Sequence, residues 1–417
     1  MIKIISAKNF SYTHANEAAT DVSATVRAIL EDVKANGDEA VIKYEKKFDN
    51  VELNSLEVSE AEKAEAIKAT GEDFIKILER AAKNIREFHS KQVRNGFMFS
   101  NSDGVILGQR IIPLERVGLY VPGGTASYPS SVLMNAIPAK IAGCKEIFIA
   151  TPPTIRPEII AAAEVAGVTK IFKMGGAQAV AAFAYGTQSV PRVDKITGPG
   201  NIFVAEAKRQ VFGQVSIDMI AGPSEILIIA DENNNPAFIA ADMLAQAEHD
   251  KLASAILITD SENFAADVAS EIENQVEKLS RREIARASID TNGKIIFVEN
   301  LNDAIKISNE IAPEHLEICV DNPFEWLTEG KIKNAGSVFL GRNSPEALGD
   351  YFAGPNHTLP TMGTARFSSP LSVDDFVKKS QYIYYTRDAL GLVSDDIAKF
   401  AQSEGLTGHA NSVLIRK

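Results

Sequence analysis

From Arg116 onward, short β-branched runs alternate with alanine-rich stretches of helical periodicity, and the pair recurs roughly every 20 to 30 residues. Strands are expected at 116–121 (RVGLYV), 146–150 (EIFIA), 170–173 (KIFK), 192–196 (RVDKI) and about 215–220, with helices near 130–142, 157–166, 176–185 and 201–212. The rhythm then restarts with EILIIA (225–230), a helix over 237–249, SAILIT (254–259), a helix from about 262 to 279, KIIFVE (294–299), a helix over 302–310, and the runs LEICV and GSVFL. Strands separated by whole helices pair in parallel and are covered on both faces. The expected fold class is therefore α/β, with two tandem incomplete Rossmann-like units built on parallel sheets. They would meet near 220–224, leaving a cleft at the carboxyl ends of strands beside Ala221-Gly222-Pro223-Ser224.

The flanks read differently. Residues 1–110 are charged and mostly helical: Ser59 and Glu62 fit a capping box, and Glu72 to Val93 carries Phe74, Ile77, Leu78, Ala81, Ile85 and Phe88 at helical spacing. This region is expected to pack on the α/β core as scaffold, with His14 and His89 as surface or packing residues. Residues 371–417 carry a helix, the aromatic strand QYIYYT, a helix from about 394 to 404 and the segment LTGHANSV. So short a tail cannot bury a core of its own and must dock on a larger body, another subunit being one candidate. The division is thus 1–110, 111–222, 223–370 and 371–417.

A net charge of −12 without any Lys/Arg-rich run speaks against nucleic acid or an anionic membrane as partner. The substrate should be small, and a cationic one suits the charge. The start MIKIISAKNF lacks the apolar core of a signal peptide, and no run of about eighteen apolar residues occurs, so a cytoplasmic location is expected. Cys144 and Cys319 sit in apolar contexts and read as buried structural thiols.

Asn235 and Pro236 suit the N-cap and first position of a helix whose end carries Gln246 and His249, three apart and on one face. A single buried histidine is more often a satisfied core residue than a ligand. Yet His249, His315, His357 and His409 all lie beside carboxylates or amides, in QAEH, PEHLE, GDYFAGPNH and EGLTGH. Gln246, His249, Asp350 and His409 would make a sulfur-free N/O set suited to Zn²⁺, Mn²⁺ or Co²⁺, although spacing this wide is no metal signature. Glu314-His315 follows Pro313; at a helix N-terminus the dipole would favour an ionised Glu and a neutral imidazole, a combination suited to general base work. A capping Glu followed by a surface His is the plainer alternative. Three glycine corners, Val121-Pro122-Gly123-Gly124-Thr125, Gly175-Gly176-Ala177-Gln178 and Gly198-Pro199-Gly200-Asn201, each follow a strand and open a helix. One alone is explained by a tight turn; three in one unit favour a dinucleotide.

Taken together, RVGLYVPGG, GGAQAVAAFAYGT, GPGN, AGPSE, AQAEHD, APEHLE, GDYFAGPNH and EGLTGHANSV closely resemble the histidinol dehydrogenase family along nearly the whole chain. The resemblance implies one Zn²⁺ per subunit held by Gln246, His249, Asp350 and His409, which also binds the substrate. It implies acid/base chemistry by Glu314 and His315, and substrate contacts by Ser224, His357 and Glu404 besides the metal ligands and His315. NAD would be contacted by Tyr120, Gln178 and Asn201. The implied reaction takes L-histidinol through L-histidinaldehyde to L-histidine with two NAD⁺, in a homodimer whose C-terminal tail completes the partner's site. The competing reading is a zinc hydrolase in which Glu314 activates metal-bound water; the glycine corners speak against it.

Overall fold

The computed structural model describes residues 2–11, 21–100, 104–123 and 128–417, so His14, Gly124 and Thr125 lie outside the described residues. Two sheets, each wholly parallel, form the core. The first has five strands in the order Lys170–Lys173, Glu146–Thr151, Arg116–Tyr120, Lys195–Thr197, Ser216–Ile217. The second has six, in the order Lys3–Ser6, Lys294–Phe297, Ser254–Thr259, Glu225–Ala230, His315–Cys319, Ser337–Leu340. The α/β expectation with parallel sheets is met. EILIIA and SAILIT are buried at every position, as continuous apolar strands covered on both faces must be.

Helix starts follow local chemistry. Ser59 and Glu62 form the expected capping box, Asn235 accepts the N–H of Ala237, and Asn201 accepts the N–H groups of Phe203 and Val204. The helix Pro236–Ala247 stops two residues before His249, which occupies the turn that follows. The fourth strand of the first sheet begins at Lys195 rather than 192, and the fifth is only Ser216–Ile217. There the chain turns off so that Asp218 Oδ2 can accept the N–H of Gly198 at 2.7 Å.

Three strands stand where residues 1–110 were read as helical. Lys3–Ser6 adds an edge to the second sheet, pairing with Lys294–Phe297. Phe97–Ser100 and Val105–Pro113 form a separate antiparallel sheet with Val377–Tyr385. The tail is therefore tied to its own chain over nine paired positions, from Val377 opposite Pro113 to Tyr385 opposite Val105. The helix expected just after Leu371 is a single 3-10 turn, Val373–Phe376, and the helix expected from about 394 begins at Arg387 and ends at Ser403, followed by Thr407–Leu414. His89 is a packing residue, fully buried with Nδ1 2.7 Å from Gln92 Oε1, and both cysteines are buried. No helix among the described residues is long and apolar enough to cross a membrane.

Candidate active site

A cleft of about 840 Å³ separates the two sheets. On the first sheet it is reached by segments that follow strands, Gly198 to Asn201 and Asp218 to Ser224; on the second by segments that precede them, Ser224 before Glu225–Ala230 and Glu314 before His315–Cys319. The expectation of carboxyl ends throughout is corrected: the second sheet offers its amino ends. The helix Pro236–Ala247 runs back along that sheet, which brings Gln246 and His249 to the same end.

Glu314-His315 opens a strand, not a helix. The preceding helix Leu301–Ile311 is stopped by Ala312 at φ 52, and His315 then pairs with Ile226 in the sheet. The helix-dipole argument for this pair therefore fails, and burial takes its place. His315 is 4% exposed; burial drives its imidazole down to about 4, so it is neutral. Its Nδ1 lies 3.1 Å from the carbonyl oxygen of Glu225, which can only accept, so Nδ1 carries the proton and Nε2 the lone pair. Nε2 is buried and has no hydrogen-bond partner among the described residues. Glu314 Oε2 accepts the N–H of Glu225 at 2.9 Å, yet burial still pushes its carboxyl well above the ordinary range, in place of the ionised group expected.

Asp350 lies at the end of the short helix Glu346–Tyr351. Its Oδ1 is 3.8 Å from His315 Nε2 and 3.9 Å from His357 Nδ1. His357 Nδ1 donates to the Asp350 carbonyl at 3.1 Å, and Nε2 is 3.3 Å from Ser131 Oγ, which leaves the ring a neutral acceptor on the hydroxyl; burial lowers its basicity in the same sense. Donor atoms of His249, Glu346 and Asp350 all lie within 4.8 Å of one another. Glu346 was not anticipated. It is 2% exposed, one helical turn before Asp350, and accepts from the Gln246 amide nitrogen at 2.8 and 3.1 Å; that nitrogen also lies 3.2 Å from His315 Nδ1 but gives its protons to the carboxylate, since Nδ1 donates to the Glu225 carbonyl, and Gln246 Oε1 is left for another partner. Burial, reinforced by Asp350, Glu314, Glu317 and Asp242, drives its carboxyl up, and Glu317 Oε1 accepts its backbone N–H at 2.8 Å. An imidazole, an amide oxygen and crowded carboxylates fit a borderline divalent cation, which would relieve the repulsion among the acids.

The cleft thus brings together Ser224, Gln246, His249, Glu314, His315, Asp350 and His357, with Asn201 at its rim. Tyr120 and Gln178 do not line it; both are buried at the first sheet, where Tyr120 Oη accepts the N–H of Gly176 at 3.1 Å and Gln178 Nε2 donates to Glu45 Oε1 at 2.9 Å. Glu404, in the turn between the two C-terminal helices, and His409, on the second of them, are exposed and do not line the cleft either.

The family model of histidinol dehydrogenase matches residues 12–417. The chain belongs to the histidinol dehydrogenase family. It is 56% identical to histidinol dehydrogenase of Clostridium acetobutylicum over 95% of this chain and 92% of that one, and 55% identical to that of Listeria monocytogenes over 95% and 93%. It also matches the crystal structure of histidinol dehydrogenase from Elizabethkingia anophelis with a TM-score of 0.92 at 39% identity, covering 100% of this chain and 98% of that one. Membership makes the chain an oxidoreductase of histidine biosynthesis and decides against the hydrolase reading.

Proposed function

We propose that this chain is a zinc-dependent, cytoplasmic L-histidinol dehydrogenase that carries its substrate through L-histidinaldehyde to L-histidine while reducing two NAD⁺, the last step of histidine biosynthesis. The observation that carries the reading is His315: a neutral, buried imidazole whose Nε2 has no partner among the described residues, in a cleft shared by both sheets. Nε2 takes the proton of the substrate hydroxyl as hydride leaves the adjacent carbon for NAD⁺. Glu314, in its ionised form and made a stronger base by burial, then takes a proton from the water that adds to the bound aldehyde. As that water adds, His315 returns its proton to the aldehyde oxygen, which frees Nε2 to serve again when the hydrate loses its hydride to the second NAD⁺.

Gln246, His249 and Asp350, with His409 of the partner subunit, would hold zinc, and the Glu346 carboxyl fixes the Gln246 amide behind them. When bound, the ion supplies a Lewis-acidic anchor for the imidazole and amine of the substrate, and no redox chemistry. Ser224 and His357 line the same cleft as substrate contacts, and Glu404 of the partner subunit suits a cationic amino alcohol. Tyr120, Gln178 and Asn201 are the NAD residues, placed on or beside the glycine corners.

A homodimer is supported by exposure. Glu404 and His409 stand outside their own cleft, while the antiparallel sheet and tail present Met98 at 68%, Ile383 at 74%, Leu392 at 76%, Phe400 at 70% and Ile415 at 75% exposed. So much large apolar surface in one region marks an interface.

NADH formed per L-histidinol consumed, with and without a chelator, tests the reading. Two NADH per substrate, lost on chelation and restored by Zn²⁺, is the expected result. One NADH per substrate, or turnover indifferent to metal removal, would overturn the four-electron zinc mechanism.

A further inference from the structure

Glu45 lies in the helix Asp38–Phe48, in the stretch KYEKKF, where a carboxylate would ordinarily face water. It is instead fully buried. Its Oε1 accepts two bonds, from the N–H of Gly175 at 2.9 Å and from Gln178 Nε2 at 2.9 Å. Both donors belong to the first turn of the helix Gly176–Tyr185, whose N-cap residue, Gly175, has no side chain to cap it. Glu45 supplies that cap from another helix, satisfying a donor the helix start would otherwise orphan. The next N–H, that of Gly176, is held by Tyr120 Oη at 3.1 Å. Gly176 itself has φ 55, and a Cβ there would come within 2.8 Å of Gln178 Oε1. The turn is thus shaped around this amide.

With its nitrogen committed to Glu45, the Gln178 amide retains only Oε1, which is buried and has no hydrogen-bond partner among the described residues. A buried acceptor left unmatched is costly, and a donor on a bound ligand is one way to satisfy it. Burial pushes the Glu45 carboxyl up to about 8, with Asp49 one helical turn away adding to the rise and Tyr120 facing it from the strand. Near neutrality Oε1 is then the carbonyl oxygen of an acid, a double acceptor that places no negative charge beside a dinucleotide.

We propose that Glu45 is a positioning residue for the nicotinamide cofactor: it clamps the Gly175-Gly176 turn and the nitrogen of Gln178, presenting Gln178 Oε1 to a donor of bound NAD. This rests on the reading of Gln178 as a cofactor contact. The two are separated by measuring NAD binding and steady-state kinetics on the full-length, metal-loaded enzyme carrying Glu45→Gln, Glu45→Ala, Gln178→Ala and the last two combined.

Glu45→Ala raises KM for NAD about tenfold, the scale of a buried hydrogen-bonding group lost, with KM for L-histidinol unchanged. Glu45→Gln, whose amide oxygen accepts the same two bonds, restores binding to within about twofold. The combined variant is no weaker than Gln178→Ala alone, because Glu45 acts through Gln178. If Glu45→Ala binds NAD as the parent does while Gln178→Ala is weakened, Glu45 is only a packing residue and the cofactor reading of Gln178 stands. If Gln178→Ala is silent, that reading falls and takes this proposal with it. Should Glu45→Ala fold poorly by circular dichroism, Glu45→Met, which fills the volume without an acceptor, carries the same test. A lowered thermal midpoint with unchanged KM for NAD overturns the proposal.

Discussion

His315 is made a base by its surroundings in two separate ways. Burial keeps the ring neutral, and the Glu225 carbonyl fixes the tautomer so that the lone pair is on Nε2. Neither depends on a neighbouring acid, which frees Glu314 for a different task from its own position on the Glu225 N–H. The division predicts unequal lesions. His315→Asn should slow both hydride steps by about 10²- to 10⁴-fold, the usual contribution of a positioned proton acceptor. Glu314→Gln should slow the second more than the first, because only the second needs an activated water. Single-turnover formation of NADH, followed by stopped flow, resolves the two phases; equal loss in both would mean that the residues act as one unit.

Among elements, the join between the helix Asp38–Phe48 and the helix Gly176–Tyr185 is the one whose strength should follow pH. The Glu45 carboxyl rises from its ordinary value of 4.5 to about 8 in the folded chain, so the native state binds this proton more tightly than the unfolded state. Its contribution to stability is complete below the unfolded value and is lost as pH rises through the folded one. Glu45→Gln has no such proton to lose. The thermal midpoint of the parent should therefore fall relative to that variant between about pH 5 and pH 8.5, and a constant difference across the window would mean that the carboxyl is ionised in the native state. The same residue shows what sequence pattern hides. EILIIA and SAILIT announce themselves because a strand buried on both faces must be apolar at every position. Glu45 carries the signature of a wet helix face, and only a glycine corner 130 residues away makes it structural. Lys3–Ser6 and Phe97–Ser100 are four residues each, too short for a period to show, and the exposed face of the latter lacks polar alternation. Glu346 sits in a helix of only six residues, too short for a period to show, and its one sequence signal is an acid placed one turn before Asp350. Metal-site geometry of this kind is set by tertiary contacts between distant segments, which spacing along the chain does not encode.

For the molecule as a whole, the C-terminal helices pose a question of connectivity. The tail is anchored to its own chain through the strand Val377–Tyr385, yet Glu404 and His409 in the helical segment beyond it are exposed and absent from the lining of their own cleft. If each tail completes the neighbouring cleft, as proposed, one working site draws His315 from one subunit and His409 from the other. That arrangement has a consequence no single-chain site can imitate. Homodimers of His315→Asn and of His409→Ala should each be inactive. Dissociated, mixed in equal amounts and reassociated, half the dimers become mixed, and each mixed dimer holds one site built from two intact contributions. Activity should return to about a quarter of the parent value for random pairing of two subunits across a two-fold axis. If instead the tail folds back onto its own cleft, every site in the mixture carries one lesion and no activity returns.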